Sequence, residues 1–444
     1  MTAQYEQDMQ TLADIGKELV YVVPMEQWLY RQGDAWDVYS PVGKEGITNH
    51  LLELGYPPDL VADVIKAKRF IRVYGYEMEP GQPPLYTNHK GQLTINLWRP
   101  PTLVPKPGAY PSIQAVLDFV TKGDADGKKW LMNWMAWKIQ NPGLVPKVCV
   151  VVTSEPGAGK GTLACVMSHI LGPWNCDTIK REHLENRFNA RWAQKLFVLG
   201  DEILSSENMK DISNSLKVYI DSNIIELEAK HQNQRSVRNR LAWMFASNDP
   251  ISPVVIEKND RRYTVFSNHD SVPHAYRQMF LGLFEADRYT PTPAFFDEIA
   301  AFADALQKTK VDVDWVSRPF ENEDRRRLID ANLPGHQLFL KSVQENGIDE
   351  YLEALREDDF ELNRTAKDWD FGADGITTQV LYRCYVFFCK RYGARPLRYN
   401  KFGAALKSHR PAWETKRNLT SDGKRPYCYK PPRVKPDTQP KADA

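Results

Sequence analysis

The amino-acid sequence lacks the features that mark secreted, membrane-spanning and zinc-binding proteins. Its six cysteines form no C-x-x-C pair and no zinc-like cluster, so reduced thiols are expected. The longest apolar runs, such as Val148–Val152, have the length of a strand and are far too short to cross a membrane. The segment Met1–Met9 is polar and acidic and does not form a secretion signal. These absences favour a cytoplasmic protein with no membrane partner.

Net charge is also nearly absent, at +1 over 444 residues, but it is unevenly distributed. Residues 321–374 contain 15 acidic and 7 basic side chains, whereas residues 375–444 contain 16 basic and 4 acidic side chains. A basic terminal block on a nearly neutral chain is typical of a segment that binds a polyanion. A solvated basic tail would have the same composition, so charge alone leaves both interpretations open.

The length predicts about two to four domains. Strand-like and helix-like runs, separated by proline-rich turns, divide the chain further. The predicted segments are an N-terminal α+β module over residues 1–110, a helical lead-in and core over 111–320, an acidic helical connector over 321–374, a basic domain over 375–430 and a disordered tail over 431–444. In the basic domain, Thr377 or Thr378 can cap a helix, and the strand-like Pro426–Tyr429 could close a small wing.

The central segment alternates between strand-like and helix-like patterns. The predicted elements, in chain order, are strand Val148–Val152, helix Gly161–Leu171, strand Leu196–Leu199, helix Met209–Tyr219, and strands Ile224–Glu228 and Leu241–Ala246. Strands that alternate with helices favour a mainly parallel sheet covered on both faces. The predicted fold class is therefore α/β.

The strongest local motif is the glycine-rich stretch Ser154–Thr162, which follows a predicted strand and opens a predicted helix. Glycines allow backbone N–H groups to surround phosphate oxygens, and the helix N-terminus adds its positive dipole. A lysine within the loop can reach the β- and γ-phosphates of a nucleotide. The predicted binding residues are Glu155, Pro156, Gly157, Ala158, Gly159, Lys160, Gly161 and Thr162, and the expected cofactors are ATP and Mg²⁺.

Two positions depart from the usual P-loop pattern. Ser154 stands where the first glycine is usual, and Gly161 stands where a magnesium-binding Ser or Thr usually follows the lysine. Thr162 comes one place later and would more naturally face the α-phosphate. We therefore expect magnesium to be held mainly through water and the carboxylate of Asp201, with Thr162 as the other candidate ligand.

Further polar groups follow the strands downstream of Lys160. Asp201 and Glu202 come 41 and 42 residues later, and Asn248 follows the next predicted core strand. The carboxyl ends of parallel strands lie beside the phosphate site, so Asp201 can hold the Mg²⁺ shell and Glu202 can polarise an attacking water. Asn248 can hydrogen-bond the γ-phosphate or that water. The loop also resembles that of adenylate kinases, which leaves a nucleotide kinase as an alternative, although a kinase has no use for an activated water.

Two basic features complete the pattern. Arg261 and Arg262 precede an apolar strand, and one of them could reach across a subunit interface to a γ-phosphate; the sequence does not choose between the two. A salt-bridged structural pair is the alternative. Between the runs Ile224–Glu228 and Leu241–Ala246, a polar, basic turn predicts a hairpin. Its candidate DNA-binding residues are Lys230, His231 and Arg235, although a solvated loop would look similar.

With these elements in order, the chain resembles the superfamily 3 helicases, particularly their phage, plasmid and poxvirus-type primase-associated branch. The similar stretch runs from about Trp130 to Phe266 and includes the lead-in Trp130–Ala136. The stretch Thr377–Tyr429 is similar to the C-terminal winged-helix-like module of that branch. The resemblance implies an AAA+ ATPase core, a hexameric ring with ATP between subunits, and DNA in the central channel.

The resemblance also implies 3′-to-5′ travel on single-stranded DNA, led by Lys230 and His231. Single-stranded and forked DNA are the expected partners, in the host cytoplasm if the protein is phage-encoded. Residues 1–110 show no carboxylate constellation of a primase or polymerase, so a partner could supply priming. The two alternatives to a helicase are a nucleotide kinase and a DNA-binding replication initiator for which ATP serves only as an assembly switch.

Overall fold

The chain divides into two units, Met1–Leu328 and Ile329–Ala444. The computed structural model describes residues 10–11, 13–32, 35–36, 42–67, 70–186, 188–203, 209–229, 234–249, 256–257, 259–358, 375–392, 394–409, 412–417 and 427–432. Among these residues, no helix is both long enough and apolar enough to span a bilayer.

The N-terminal part of the first unit contains two small sheets together with helices, and residues 13–18 form a helical segment directly before the first strand. Its further elements are β1 Leu19–Val22, β2 Gln27–Gln32, β3 Ala35–Trp36, α1 Lys44–Glu53, α2 Pro58–Ala67, β4 Ile71–Val73, β5 Tyr76–Glu77, β6 Leu85–Thr87 and β7 Leu93–Asn96. The strand orders are β3-β2-β1-β4 and β5-β7-β6. The rings of Tyr21, Trp28 and Phe70 contact one another, and apolar side chains of α1 and α2 cover the same face of the first sheet.

A five-stranded sheet forms the centre of the first unit. The strands of this region are β8 Cys149–Ser154, β9 Cys176–Ile179, β10 Phe197–Asp201, β11 Ile224–Leu227, β12 Arg235–Arg238, β13 Ala242–Ser247 and β14 Tyr263–Asn268. The sheet has the order β14-β8-β13-β10-β9, and all neighbouring strands are parallel. Every residue of β8 and β13 is buried, as expected for strands covered on both faces. The predicted α/β class is confirmed.

Helices flank this sheet. They are α3 Pro111–Val120, α4 Ala125–Gln140, α5 Lys160–Leu171, α6 Arg181–Glu185, α7 Ala190–Ala193, α8 Met209–Asp221, α9 His274–Leu281, α10 Pro293–Lys308, α11 Val313–Val316 and α12 Glu323–Ala331. The lead-in is broken between α3 and α4, where Lys122 and Gly123 have left-handed φ angles of 53° and 72°. Asp124 then caps α4 by accepting hydrogen bonds from the N–H groups of Asp126 and Gly127.

The sequence pattern did not predict β9, because Asp177 and Thr178 interrupt its apolar character. It also predicted the wrong partner for the hairpin. β11 pairs antiparallel with β12, whereas the expected partner strand, β13, lies between β8 and β10 in the central sheet. The physical reason is that β12 is short and polar. Only Val237 of its four residues is buried, so β12 forms a two-stranded ribbon with β11.

A buried lysine joins the end of α4 to the central sheet. The ammonium of Lys138 donates hydrogen bonds to the carbonyl oxygens of Pro142, Leu144 and Arg240, at 2.8, 3.0 and 2.7 Å. Burial lowers the pKa of Lys138 to about 7. Three carbonyl dipoles face the cation and offset part of the cost of removing it from water.

The N-terminal part is attached to the β11–β12 hairpin through two arginines. Arg235 donates a hydrogen bond of 3.2 Å to the carbonyl oxygen of Tyr76, and its guanidinium lies 4.4 Å from the centre of the Tyr76 ring. Arg240, which follows β12, is buried and forms an ion pair with Glu79. Arg235 is the first residue of β12, beside the turn, and Arg240 follows the end of that strand. The two contacts therefore tie both ends of β12 to the segment around β5.

The second unit contains helices and a small antiparallel sheet. Its elements are α13 Gly335–Asn346, α14 Asp349–Asp358, β15 Ile376–Thr377, α15 Thr378–Arg391, α16 Tyr399–His409, β16 Glu414–Arg417 and β17 Tyr427–Lys430, with the strand order β15-β17-β16. Thr377 caps α15 by accepting a hydrogen bond from the N–H of Val380. In the core, the rings of Tyr385 and Phe402 stack 4.7 Å apart. Most of the predicted tail, residues 433–444, lies outside the described residues.

Candidate functional site

The glycine loop connects the carboxyl end of β8 to the N-terminus of α5. Gly157 and Gly159 have φ angles of 83° and 95°, a conformation that favours glycine. A Cβ atom on Gly159 would lie 2.9 Å from Cγ1 of Val116 and 3.0 Å from Cζ of Phe280. Tyr276 also donates a hydrogen bond of 3.1 Å to the carbonyl oxygen of Ala158. Side chains of α3 and α9 therefore hold the loop in place.

The N-terminus of α5 begins directly after this loop. Gly159 precedes the helix and has no side chain that could cap the first N–H groups. These N–H groups and the helix dipole favour an anion at this end of the helix. The local geometry can therefore bind phosphate oxygens.

Lys160 links β8 to β13. Its ammonium donates hydrogen bonds to the carbonyl oxygen of Ser154 at 2.5 Å and to the side-chain oxygen of Asn248 at 2.7 Å. It also contacts Oγ of Ser154 at 3.1 Å. Burial lowers the pKa of Lys160, and the carboxylates of Glu202, Asp201 and Glu155 oppose this shift. The cation is thus held at the sheet edge within reach of the loop.

Glu202 extends the same hydrogen-bond chain. The N–H of Asn248 donates to Oε1 of Glu202 at 3.1 Å, and the N–H of Glu202 donates to the carbonyl oxygen of Ala246 at 3.0 Å. Glu202 has a φ of 50°, in the left-handed region that costs a non-glycine residue on the order of 1 kcal/mol. Asp201 pairs with Ala246 in the sheet register and ends β10. The structure therefore brings Lys160, Asn248 and Glu202 into one connected group beside Asp201.

Gly200 makes this arrangement possible. A Cβ atom at this position would lie 2.6 Å from Cδ1 of both Ile203 and Phe245. The close packing lets β10 end directly beside β13, so that Glu202 can reach Asn248. In the sequence, the glycine of Gly200-Asp201-Glu202 is the signal for this close approach.

A cleft of about 1080 Å³ opens in front of the loop. One wall consists of residues 156–162 together with Asp201, Glu202 and Asn248. The opposite wall, which the sequence analysis missed, belongs to α9 and the turn that follows it. Its lining residues are Arg277, Phe280, Leu281, Phe284, Glu285, Ala286, Arg288 and Tyr289. This wall carries no recognisable motif, and its position is set by tertiary packing, so no signal in the sequence could have identified it.

The two predicted metal ligands, Asp201 and Thr162, line this cleft. Among the described residues, no group of three or more His, Cys, Asp or Glu side chains is arranged to hold a metal ion. Mg²⁺ in proteins commonly takes one or two carboxylates, with phosphate oxygens and water completing its shell. The carboxylate of Asp201 and the hydroxyl of Thr162, beside the glycine loop, offer the few protein ligands that such a site needs.

Arg261 and Arg262 do not line this cleft. Both guanidinium groups contact Oδ2 of Asp221, at 3.0 and 3.1 Å. Arg262 also contacts Asp260 at 3.4 Å. The side chain of Arg261 is 76% exposed, whereas that of Arg262 is 22% exposed. Arg261 is therefore the more accessible of the two arginines.

The predicted DNA-binding residues are only partly described. Lys230 and His231 lie outside the described residues. Arg235 belongs to β12, and its guanidinium is occupied by the carbonyl and ring of Tyr76. Burial lowers the pKa of Arg235. Its described contacts attach the hairpin to the N-terminal part, and contact with DNA stays a prediction for this residue.

The fold and site define an α/β protein with a glycine loop, a lysine and two carboxylates at the carboxyl edge of a parallel sheet. Comparison with protein families gives two matches: the family described as "Family of unknown function (DUF5906)" over residues 152–262, and the family described as "Poxvirus D5 protein-like" over residues 348–438. No curated protein matches the chain.

Solved structures of the NrS-1 C-terminal region are similar over almost the whole chain. The apo structure of residues 305–718 has 19% identity and a TM-score of 0.67, covering 96% of this chain and 98% of that chain. Its A form has 18% identity and a TM-score of 0.67, covering 95% and 98%. At this identity the likeness shows a shared fold. Together with the poxvirus D5-like match, it confirms the resemblance to the phage- and poxvirus-type branch of the superfamily 3 helicases.

Proposed function

We propose that this chain is a replication protein of the primase-helicase type, and specifically the motor subunit of an ATP-dependent DNA helicase. In this proposal the protein hydrolyses ATP at the interfaces of a hexameric ring and moves 3′ to 5′ on single-stranded DNA. The observation that carries the proposal is the hydrogen-bond chain from Lys160 through Asn248 to Glu202, next to Asp201. The ammonium of Lys160, which can bind phosphates, is thereby connected to the carboxylate of Glu202, which can accept a proton from water, at one edge of the sheet.

The residues of the loop have defined tasks in this reaction. Backbone N–H groups of residues 157–162 would bind the phosphate oxygens, and Lys160 would exchange the carbonyl oxygen of Ser154 for the β- and γ-phosphates. Mg²⁺, when bound, neutralises charge on these phosphates, and Asp201 and Thr162 are the residues that would hold its shell.

Glu202 is suited to act as the base. Its carboxylate is fixed by the N–H of Asn248, so one of its two oxygens is held while the other stays available to accept a proton from water. The water oxygen attacks the γ-phosphorus, and the bond to the β–γ bridging oxygen breaks. The side-chain oxygen of Asn248 accepts a hydrogen bond from Lys160, and this contact would change when a phosphate binds the Lys160 ammonium.

A neighbouring subunit would complete the site with an arginine. Arg261 fits this task better than Arg262, because Arg261 is the more exposed and contacts only Asp221 among the described carboxylates. Arg262 is held between Asp221 and Asp260. A guanidinium placed at the γ-phosphate stabilises the charge of the transition state.

The proposal for DNA rests on charge and on the resemblance. The hairpin formed by β11 and β12 would carry Lys230 and His231 at its tip, where cationic groups suit phosphate contacts without base recognition. The basic segment 375–430, which contains α15, α16 and the antiparallel sheet, would act as a winged-helix-like DNA-binding domain. Single-stranded and forked DNA are the proposed partners, and a separate primase or polymerase would supply priming. The five-segment domain organisation predicted from the sequence belongs to the same proposal.

One experiment tests the proposed activity. The rate of ATP hydrolysis by the full chain is measured with and without single-stranded DNA, and the particle mass is measured by light scattering. A helicase predicts hydrolysis that DNA stimulates and a particle about six times the 51.1 kDa of one chain. ATP binding with almost no turnover would instead indicate an assembly switch. Phosphate transfer to AMP at a rate that DNA does not change would indicate a nucleotide kinase.

A further inference from the structure

We propose that a second, smaller cleft beside the glycine loop is the nucleobase subsite, and that Tyr289 is the residue on which the base stacks. This inference rests on the proposed function, because it concerns the nucleotide that the loop would bind. It adds a residue that lies far from the loop in sequence and belongs to no motif.

The two clefts adjoin each other along α5. The smaller one has a volume of about 390 Å³ and shares Gly161, Cys165 and Tyr289 with the larger cleft. Along α5 it continues past Gly161 to Cys165 and Ser168, away from the Lys160 end. With the terminal phosphates at Lys160, the α-phosphate would lie near Gly161 and Thr162, and the sugar and base would extend beyond them. The smaller cleft is the space available in that direction, and its volume falls within the usual range for small-molecule sites.

Tyr289 is exposed although its backbone is fixed. The side chain is 84% exposed, which is unusual for a large ring in a cleft wall. The carboxylate of Asp287 accepts hydrogen bonds from the N–H groups of Tyr289 and Thr290, at 2.8 and 2.9 Å. The N–H of Glu285 donates to the carbonyl oxygen of Thr290 at 2.8 Å. A ring on an anchored turn can stack on a base with little loss of backbone entropy.

The far side of the smaller cleft offers polar groups at the edge of the proposed base position. Ser168, His169 and Thr178 line it. Burial lowers the pKa of His169, so its imidazole is neutral at neutral pH and can both donate and accept a hydrogen bond. Asp177 also lines the cleft, but both its oxygens are occupied by Arg191 at 3.0 and 3.1 Å. A neutral, hydrogen-bonding rim suits a base and does not suit another phosphate.

The test separates the base from the phosphates. Calorimetry measures the binding of a non-hydrolysable ATP analogue and of inorganic tripolyphosphate to the full chain. Stacking on an aromatic side chain predicts that Tyr289→Ala weakens binding of the analogue about ten- to a hundredfold and leaves tripolyphosphate binding unchanged. Tyr289→Phe keeps the ring and should bind the analogue like the wild type. Tyr74→Ala, which removes a tyrosine that is 46% exposed in the N-terminal part, is the matched control and should change neither affinity.

The outcomes distinguish the two proposals. If Tyr289→Ala binds the analogue as tightly as the wild type, the base subsite is refuted while the nucleotide site stands. An equal loss of affinity for the analogue and for tripolyphosphate would also refute it, because the effect would then be on the loop. If the wild type binds neither ligand, the proposed nucleotide site itself fails.

Discussion

The side-chain oxygen of Asn248 accepts a hydrogen bond of 2.7 Å from the ammonium of Lys160, although the two residues are 88 positions apart. The contact joins the N-terminus of α5 to the end of β13, and β13 is the sheet neighbour of β8, the strand that precedes the glycine loop. Since Asn248 also holds Glu202 through its N–H, a change at the cation can be transmitted to the carboxylate over two hydrogen bonds. The residues of this hydrogen-bonded group are therefore the first to test.

Replacing Lys160 with alanine should abolish ATP hydrolysis. Lys160 is the cation within the glycine loop, and its removal leaves the β- and γ-phosphates without a fixed positive charge. The rate should fall more than a hundredfold while the melting temperature changes little, because the side chain is only partly buried. Near-normal hydrolysis in this variant would count strongly against the proposed function.

Glu202→Gln should separate ATP binding from hydrolysis. The amide keeps the shape of the side chain and can still accept the N–H of Asn248, but it cannot take a proton from water. We expect kcat to fall about a hundredfold or more, with the affinity for ATP retained. Glu257→Gln, which changes an exposed carboxylate paired with Lys217, serves as the control. Full turnover by the Glu202 variant would remove Glu202 as the base.

Mixing two inactive variants should restore activity if Arg261 acts on a neighbouring subunit. Arg261→Ala and Lys160→Ala are each expected to be nearly inactive, since an arginine of this kind contributes roughly a thousandfold or more to the rate. In a mixed ring, an interface with Lys160 from one variant and Arg261 from the other is complete. ATP hydrolysis should therefore rise above that of either variant alone. No gain on mixing, in rings shown by mass to contain both chains, would contradict a shared site.

Two glycines of the loop should differ in their tolerance of alanine. At Gly159 the φ of 95° and the neighbours Val116 and Phe280 leave no space for a Cβ atom. We expect Gly159→Ala to lower the free energy of unfolding by about 2 kcal/mol, as measured by urea denaturation. Gly161 has no heavy atom within 4 Å of such a Cβ, so Gly161→Ala should unfold like the wild type. Equal stability of the two variants would show that the packing around Gly159 is looser than described.

Lys138 should make stability depend on pH. Its pKa is about 7 in the folded chain and close to 10.5 in the unfolded chain, so the unfolded state binds more protons between these values. Through Lys138, the free energy of unfolding should therefore rise as the pH increases from 7 towards 10.5, and the penalty is fully present below pH 7. Lys138→Met removes this dependence. The measurement is the difference between wild type and variant in urea unfolding from pH 7 to 9.5, and an unchanged difference would contradict the shift.

The sequence was most informative where local pattern and tertiary structure agree. β8, α5 and β10 lie within two residues of their predicted bounds, because buried β-branched runs and a glycine turn leave few alternatives. Parallel strands end at the same edge, so the grouping of Lys160, Asp201 and Asn248 could be predicted without knowing any distance. The roles of these residues stay predictions until turnover is measured.

The remaining features depend on contacts that sequence does not encode locally. β9 and β12 contain too few apolar residues to be distinguished from loops, and pairing with neighbouring strands stabilises them. The cleft wall from Arg277 to Tyr289 was missed for the same reason, since its place opposite the loop follows from the packing of α9. The left-handed φ of Glu202 could not be predicted either, because the bond to Asn248 that supports it joins distant segments.

The two arginines at the two ends of β12 have a consequence for how the polypeptide can be divided. Tyr76 and Glu79 supply hydrogen-bond acceptors to Arg235 and Arg240. Deletion of the first hundred residues would therefore leave two largely buried guanidinium groups without these acceptors. The N-terminal part therefore supports the β11–β12 ribbon and cannot be removed without loss of these contacts. Force applied at the turn of the ribbon would be transmitted to the N-terminal part as well as to the central sheet.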